Sequence, residues 1–143
     1  YVGGLAGYNS GNITNSYYTK GVSGVEYVGG FVGYNNGNII TCYSDSNVLG
    51  FRSVGGLVGY NDSTGSITNS YSMGSVFGSD YDTGGLVGYN GRGHIATSYS
   101  TGNVAGWNMV GGLVGENESS GVITNSYSTS NVIGNWVVGG LVG

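Results

Sequence analysis

Residues 54–78 read VGGLVGYNDSTGSITNSYSMGSVFG, and this stretch decides the fold because the chain repeats it from end to end. The opening block VGGLVG, or a near copy, begins at Val2, Val28, Val54, Thr83, Val110 and Val138. Two further blocks recur inside each unit. Ile-x-x-Ser-Tyr runs from Ile13 to Tyr17, Ile39 to Tyr43 (with Cys42 for Ser), Ile67 to Tyr71, Ile95 to Tyr99 and Ile123 to Tyr127. Val-x-Gly starts at Val22, Val48, Val76, Val104 and Val132. The step from that Tyr to that Val never changes, whereas length varies between Gly-Tyr-Asn and the Ile and again ahead of each VGGLVG. Fixed spacing implies fixed geometry; variable spacing implies a loop.

Self-similarity at a period of 20–50 residues marks a solenoid, a propeller or an array. Strand formers alternate here with Gly, Asn and Ser clusters, and no segment carries a helical i, i+3, i+4 stripe. Each unit reads as three short extended segments, enough for one coil. The expected fold is all-β: a right-handed parallel β-solenoid (β-helix) of about five triangular coils of roughly 27 residues, stacked at about 4.8 Å. Residues 1–143 form a single repeat array. Neither end shows an atypical terminal unit, so the array is expected to be an excerpt of a longer chain.

Stacking puts equivalent residues over one another. Asn9, Asn35, Asn61, Asn90 and Asn117 form a candidate amide ladder. Gly3, Gly4 and their copies serve either a sharp bend or close backbone packing. In the second segment the residue types at 14 and 16 and their copies (Ile40, Cys42 and Ala96 among them) suggest that this face points inward, with Tyr17, Tyr43, Tyr71, Tyr99 and Tyr127 stacked outward; the reverse register places Ile13 and Tyr17 inside.

The 143 residues include 32 Gly and no Pro, only 7% are charged, and the net charge is −4. Thirteen Tyr and regular Val and Ile argue against disorder. Lys20, Arg52 and Arg92 are the only basic residues, too few to neutralise phosphates, so nucleic acid is excluded as a partner. Anionic membrane surfaces are excluded on the same ground, and no apolar run approaches a membrane helix, so no membrane insertion is expected. No basic-plus-apolar leader is present in this stretch.

The pattern VGGLVGYN…GxIxNSYSTGNVxG resembles the GLUG motif, a repeat found in large secreted or surface-anchored bacterial proteins, among them adhesin-like and IgA-peptidase-type proteins. The likeness spans essentially the whole chain, in five copies and the start of a sixth. It implies an extracellular, bacterial cell-surface location, a β-solenoid stalk or adhesive region, and no catalysis within the repeats; the HExxH motif of zinc peptidases is absent. Thr83 departs from the pattern where Val is usual, beside an acidic insertion, and predicts a locally irregular coil.

Chemistry-bearing residues are sparse. His94 is the only histidine and has no clustered carboxylate beside it, so it reads as a turn residue rather than a zinc ligand or general base. No cofactor is expected. Calcium is the one candidate ion, at Asp80 and Asp82, with Glu116 and Glu118 a second acidic pair; two carboxylates are a meagre start toward the six to eight oxygens calcium takes. The Asn-x-Ser/Thr matches at Asn12, Asn61 and Asn117 are expected by chance in such a composition.

The candidate binding residues are Tyr27, Phe51, Tyr81, Trp107 and Trp136, in the variable turn before each VGGLVG. Stacking would bring them near one edge, where aromatic faces suit a glycan or a protein partner. Rings that merely shield a corner would give the same pattern. The function expected from the sequence is a non-catalytic extracellular structural or adhesive module, the stalk or adhesin region of a bacterial surface protein. The alternative is a self-assembling extracellular filament subunit, made of further copies joined end to end. An ice-binding array is disfavoured because Ile40 and Ala96 interrupt the Thr14, Thr68, Thr124 series, and a polysaccharide-cleaving enzyme because the ten charges are scattered over five coils.

Overall fold

The computed structural model describes all 143 residues and contains strands and turns but no helix. The strands form five parallel sheets, one of six strands and four of five, and in each sheet every strand pairs with its equivalent one repeat away. Residues 52–78 supply one strand to each: Arg52–Gly55, Val58–Asn61, Ser66–Thr68, Tyr71–Ser72 and Val76–Gly78. Registers join like to like: Val28 to Val54, Val32 to Val58, Ile39 to Ile67, Tyr43 to Tyr71 and Val48 to Val76. The fold is a parallel β-solenoid of about five turns, as the repeat predicts.

Five strands per coil replace the three extended segments expected, because two segments are each broken once. VGGLVGYN is interrupted at its Gly-Leu pair. Even there the chain stays hydrogen-bonded along the axis: the amides of Leu57 and Val58 both donate to the Leu86 carbonyl, at 2.9 and 3.0 Å. Ile-x-x-Ser-Tyr is broken by a left-handed residue, Asn15, Thr41, Asn69, Thr97 or Asn125, with φ between 49° and 55°.

That corner corrects the register of the second segment. Period-two alternation holds only within an unbroken strand. The Ile points inward, fully buried at Ile39, Ile67 and Ile95, and the next residue points out, leaving Ile40 exposed. After the left-handed residue the phase resets: Cys42, Ser70 and Ser98 are buried and the tyrosines face outward. The 14-type positions are therefore outside, contrary to expectation, while the 16-type positions lie inside.

A second left-handed column precedes VGG: Tyr27, Ser53, Asp82, Met109 and Val137, with φ from 27° to 59°. No glycine has positive φ. The glycines of VGG serve close approach instead. A Cβ on Gly56 would sit 2.1 Å from Ser72 Oγ and 2.2 Å from the Gly85 carbonyl oxygen. Here the serine of the Tyr-Ser strand points inward and leans onto the glycine bend, while its tyrosine faces out. Two apolar cores lie within the coils. The larger holds the Leu, Val and Ile of each coil, such as Leu57, Val58 and Ile67; the smaller joins the VGG and Val-x-Gly valines, Val28, Val48, Val54 and Val76.

The coil containing Thr83 is regular, contrary to expectation. Thr83 pairs in register with Val54 and Val110 and is fully buried. The inserted residue is taken up in the turn before it, so the strand is undisturbed.

Candidate functional site

The turn between the Val-x-Gly strand and the VGG strand carries all five predicted aromatics, yet they do not form one column. Tyr27 occupies the left-handed corner. Tyr81 and Trp136 fall in the column of Glu26, Arg52 and Asn108. Phe51 and Trp107 lie one step earlier: Phe51 donates its amide to Val25, and the Trp107 carbonyl accepts from Asn135 and Trp136, each at 3.1 Å.

Their surroundings differ as well. Tyr27 meets Tyr34 and Tyr60 edge-on, with centroids 6.2 and 5.2 Å away. It braces a tyrosine ladder, which is the shielding alternative. The Arg52 guanidinium lies over the Tyr81 ring, 5.7 Å from its centroid. Phe51, Trp107 and Trp136 are exposed and have no ring partner. The edge is thus two things: a braced corner at one end and free aromatic faces elsewhere.

A column that the sequence reading passed over adjoins them. In Val-x-Gly the valine points in and x points out, and x runs Ser23, Leu49, Phe77, Ala105, Ile133, paired strand to strand. Phe77 is 49% exposed and Ile133 72%. Small Ala105 between larger neighbours leaves a groove of about 300 Å³ against Trp107, with Ser79 and Asn135 at its edge. A second groove lies between Asn47 and Asn103 across Leu49 and Phe77. The alternation of Val and x was the available signal; the motif was read only for its recurring Val and Gly.

Two other outward columns are tyrosine ladders. Tyr17, Tyr43, Tyr71, Tyr99 and Tyr127 stack with centroids 4.8–5.1 Å apart and planes within 6° of parallel. A second ladder, Tyr8, Tyr34, Tyr60 and Tyr89, stacks at 4.9–5.4 Å. Tyr34 donates to Asp62 Oδ2 at 2.5 Å, and burial together with that carboxylate raises its pKa. Burial and the nearby Glu118 and Glu116 carboxylates push Tyr89 up to about 12. Inside, the amide ladder is as expected: Asn9 donates to Asn35, Asn35 to Asn61, Asn61 to Asn90 and Asn90 to Asn117, all at 2.7–2.9 Å.

The acidic insertion does not bring its two aspartates to a common point. Asp80 pairs with Arg52 at 3.1 Å. Asp82 turns inward, accepting from Ser53 Oγ at 2.9 Å through Oδ2, while Oδ1 is buried without a partner. Burial, then the adjacent Glu116 carboxyl, pushes the Asp82 pKa up to about 7, against the opposing pull of the Ser53 hydrogen bond and Arg52. Glu118 lies 3.7 Å from Arg92. No group of three or more His, Cys, Asp or Glu side chains is placed to hold a metal ion. His94 is exposed and opens the strand His94–Ala96, rather than lying in a turn. Cys42 is buried with its thiol toward the Ile40 carbonyl at 3.3 Å, and burial raises its pKa, so it is an unreactive packing residue.

Parallel sheets running the length of the chain, ladders of like residues and a variable edge define a β-solenoid repeat protein. The family model described as "the GLUG motif" matches residues 1–19, 24–49, 52–76, 79–105 and 108–133. The chain belongs to the GLUG-motif family. No curated protein sequence matches it. Among solved structures it is similar to one described as a "putative immunoglobulin A1 protease" from Bacteroides ovatus, at 26% identity and a TM-score of 0.77. The match covers 92% of this chain and 49% of that one, so the chain spans about half the length of this relative.

Proposed function

We propose that this array is a non-catalytic structural and adhesive module of an extracellular bacterial surface protein, a stiff scaffold that presents one side to a partner. The carrying observation is the division of labour among columns. Inward positions and two outward tyrosine columns are nearly invariant from coil to coil; the outward columns of His94 and Ala96 vary mostly among polar or small residues, whereas the x column and the turn beside it vary and present large exposed apolar side chains. A constant scaffold with one variable, exposed, apolar side is how repeat proteins present a binding surface.

A non-catalytic role has its own support. A nucleophile needs a base and an orienting group within hydrogen-bonding reach. His94 stands on an outward strand face, and the buried acid Asp82 faces Ser53 and Glu116 with no histidine near. The protease named for the B. ovatus relative is that protein's own description, and this chain covers half of it. An extracellular address rests on the family likeness and on a surface with few charges.

The test is turnover and shape together. Incubation of the 143-residue protein with immunoglobulin A1 and with a polysaccharide panel is expected to release no fragments, and small-angle scattering is expected to give a compact monomer, since five coils at about 4.8 Å are only about 24 Å long. Cleavage of either substrate would reject the scaffold reading. Concentration-dependent fibres would favour the filament subunit instead.

A further inference from the structure

The x column and the aromatic turn form one continuous strip on the solenoid, and its chemistry narrows the partner. Leu49, Phe77, Ala105 and Ile133 make its floor. Phe51 and Trp107 wall one side. Asn47, Asn103 and Asn131 stand along the other, where Asn131 donates to Asn103 at 3.2 Å. No charged side chain lines either groove of the floor.

Three properties restrict the occupant. First, the strip is uncharged in a chain of net charge −4, so neither an anionic nor a cationic ligand gains from it. Second, it is narrow. A folded partner about 40 Å across would span about eight coils at about 4.8 Å each and, over a width of roughly 10 Å, would cover only about 400 Å², well under the ~800 Å² per partner of a stable protein interface. Third, its backbone is already used. The amides of Val76, Val104 and Gly106 donate to carbonyls of the next coil at 2.8–2.9 Å. A peptide laid along the strip would find no sheet edge to extend and would press its own amides against apolar side chains. A sugar chain avoids that cost. A pyranose sets its C–H face on an aromatic ring while its hydroxyls stay at the rim, within reach of water and side-chain amides.

We propose that the strip formed by Leu49, Phe77, Ala105, Trp107 and the flanking asparagines binds a neutral polysaccharide, one sugar ring seated in the notch over Ala105 between Phe77 and Ile133. This inference rests on the scaffold reading above and adds the partner's class and place. Adjacent coils continue the strip, so an extended glycan is held along the axis by several weak contacts instead of one tight pocket.

The experiment is affinity electrophoresis of the 143-residue protein in gels containing mannan, xyloglucan or mixed-linkage glucan, with polygalacturonate as the anionic control. Retardation by at least one neutral polymer and not by polygalacturonate is expected. Phe77→Ala and Ala105→Trp, which remove one side of the notch and fill it, should each weaken that retardation at least tenfold, as loss of a central contact does. Tyr17→Ala, on a different face, should leave it unchanged. All three positions point outward, and circular dichroism of each variant confirms its fold. Absence of retardation by every neutral polymer, equal retardation by polygalacturonate, or full retention in Phe77→Ala and Ala105→Trp would overturn the proposal, and the scaffold reading would stand. Release of reducing ends would overturn the scaffold reading itself and this inference with it.

Discussion

Two buried polar side chains interrupt the uniformity of the stack, and each makes a measurable difference. Thr83 stands in a column of valines with its Oγ1 buried and unpartnered. An unsatisfied buried hydroxyl costs about 1–3 kcal/mol, and valine has nearly the same shape. Thr83→Val is therefore expected to stabilise the protein by about that amount in urea denaturation; an unchanged midpoint would show that the hydroxyl finds a partner. Asp82 is the second. It replaces the Tyr27-type residue at a corner and shares its pocket with Glu116, with Arg52 and Tyr89 the other titratable neighbours. Its folded pKa is raised from 3.8 to about 7. Protons therefore bind the folded state more tightly than the unfolded chain. The stabilisation is fully present below about pH 4, declines as pH rises and is gone above about pH 7, a loss on the order of 4 kcal/mol. Thermal melts between pH 4.5 and 8 should fall accordingly, and Asp82→Asn should flatten the dependence and raise the melting temperature at pH 8. A profile that Asp82→Asn leaves unaltered would place the titration elsewhere.

At the scale of the strand and the turn, glycine and asparagine set the outline of each coil. Gly56→Ala drives a methyl group into the Gly85 carbonyl and the Ser72 hydroxyl. The Gly85 carbonyl is backbone of the adjacent coil and cannot give way without shifting that coil, so the cost is roughly 3 kcal/mol. Gly11, whose added Cβ would meet nothing within 4 Å, is the control: Gly11→Ala should be neutral in the same melt. Asn61→Ala removes the middle of the amide ladder, leaving the Asn35 amide without its acceptor and Asn90 without its donor. Two orphaned buried groups predict a loss of about 2–5 kcal/mol. The same elements show how far the sequence could be read. Asn9 and Asn35 were legible as a ladder because they recur at a fixed place beside a turn, and identity in every coil can only mean stacking. The direction of Thr14 was not legible. It depends on Asn15 adopting a left-handed conformation, and with Thr41 and Thr97 at equivalent positions no residue type announces one; β-branched residues rarely adopt it. The aromatic edge was half legible. Phe51 and Trp107 were identified by their bulk in a variable turn, while Leu49 and Phe77, the floor beside them, sat inside a motif read for its constant Val and Gly.

For the whole molecule, stability comes from contacts between adjacent coils, since the ladders, both cores and the backbone bonds all join equivalent positions one repeat apart. Such a chain behaves as a one-dimensional stack, its stability an approximate sum of coil and interface terms. Deleting residues 28–53 removes one full repeat and joins Tyr27 to Val54, just as Ser53 joins it in the intact chain. Every remaining strand then meets an equivalent partner: Val2 lies over Val54, Asn9 over Asn61, and Ile13 over Ile67. The shortened protein is expected to fold to the same β signal by circular dichroism, with a lower melting temperature and a smaller unfolding enthalpy. Deleting only residues 28–40 removes half a coil, sets the Tyr-Ser strand where VGG is needed and buries Asn opposite Val; no folded β signal is expected. If instead the full-repeat deletion were as damaging as the half-repeat deletion, the molecule would owe its stability to long-range features that nearest-neighbour stacking does not contain. The result bears on function too, because a scaffold assembled by adding interchangeable coils can lengthen its exposed strip one step at a time while leaving the interior unchanged.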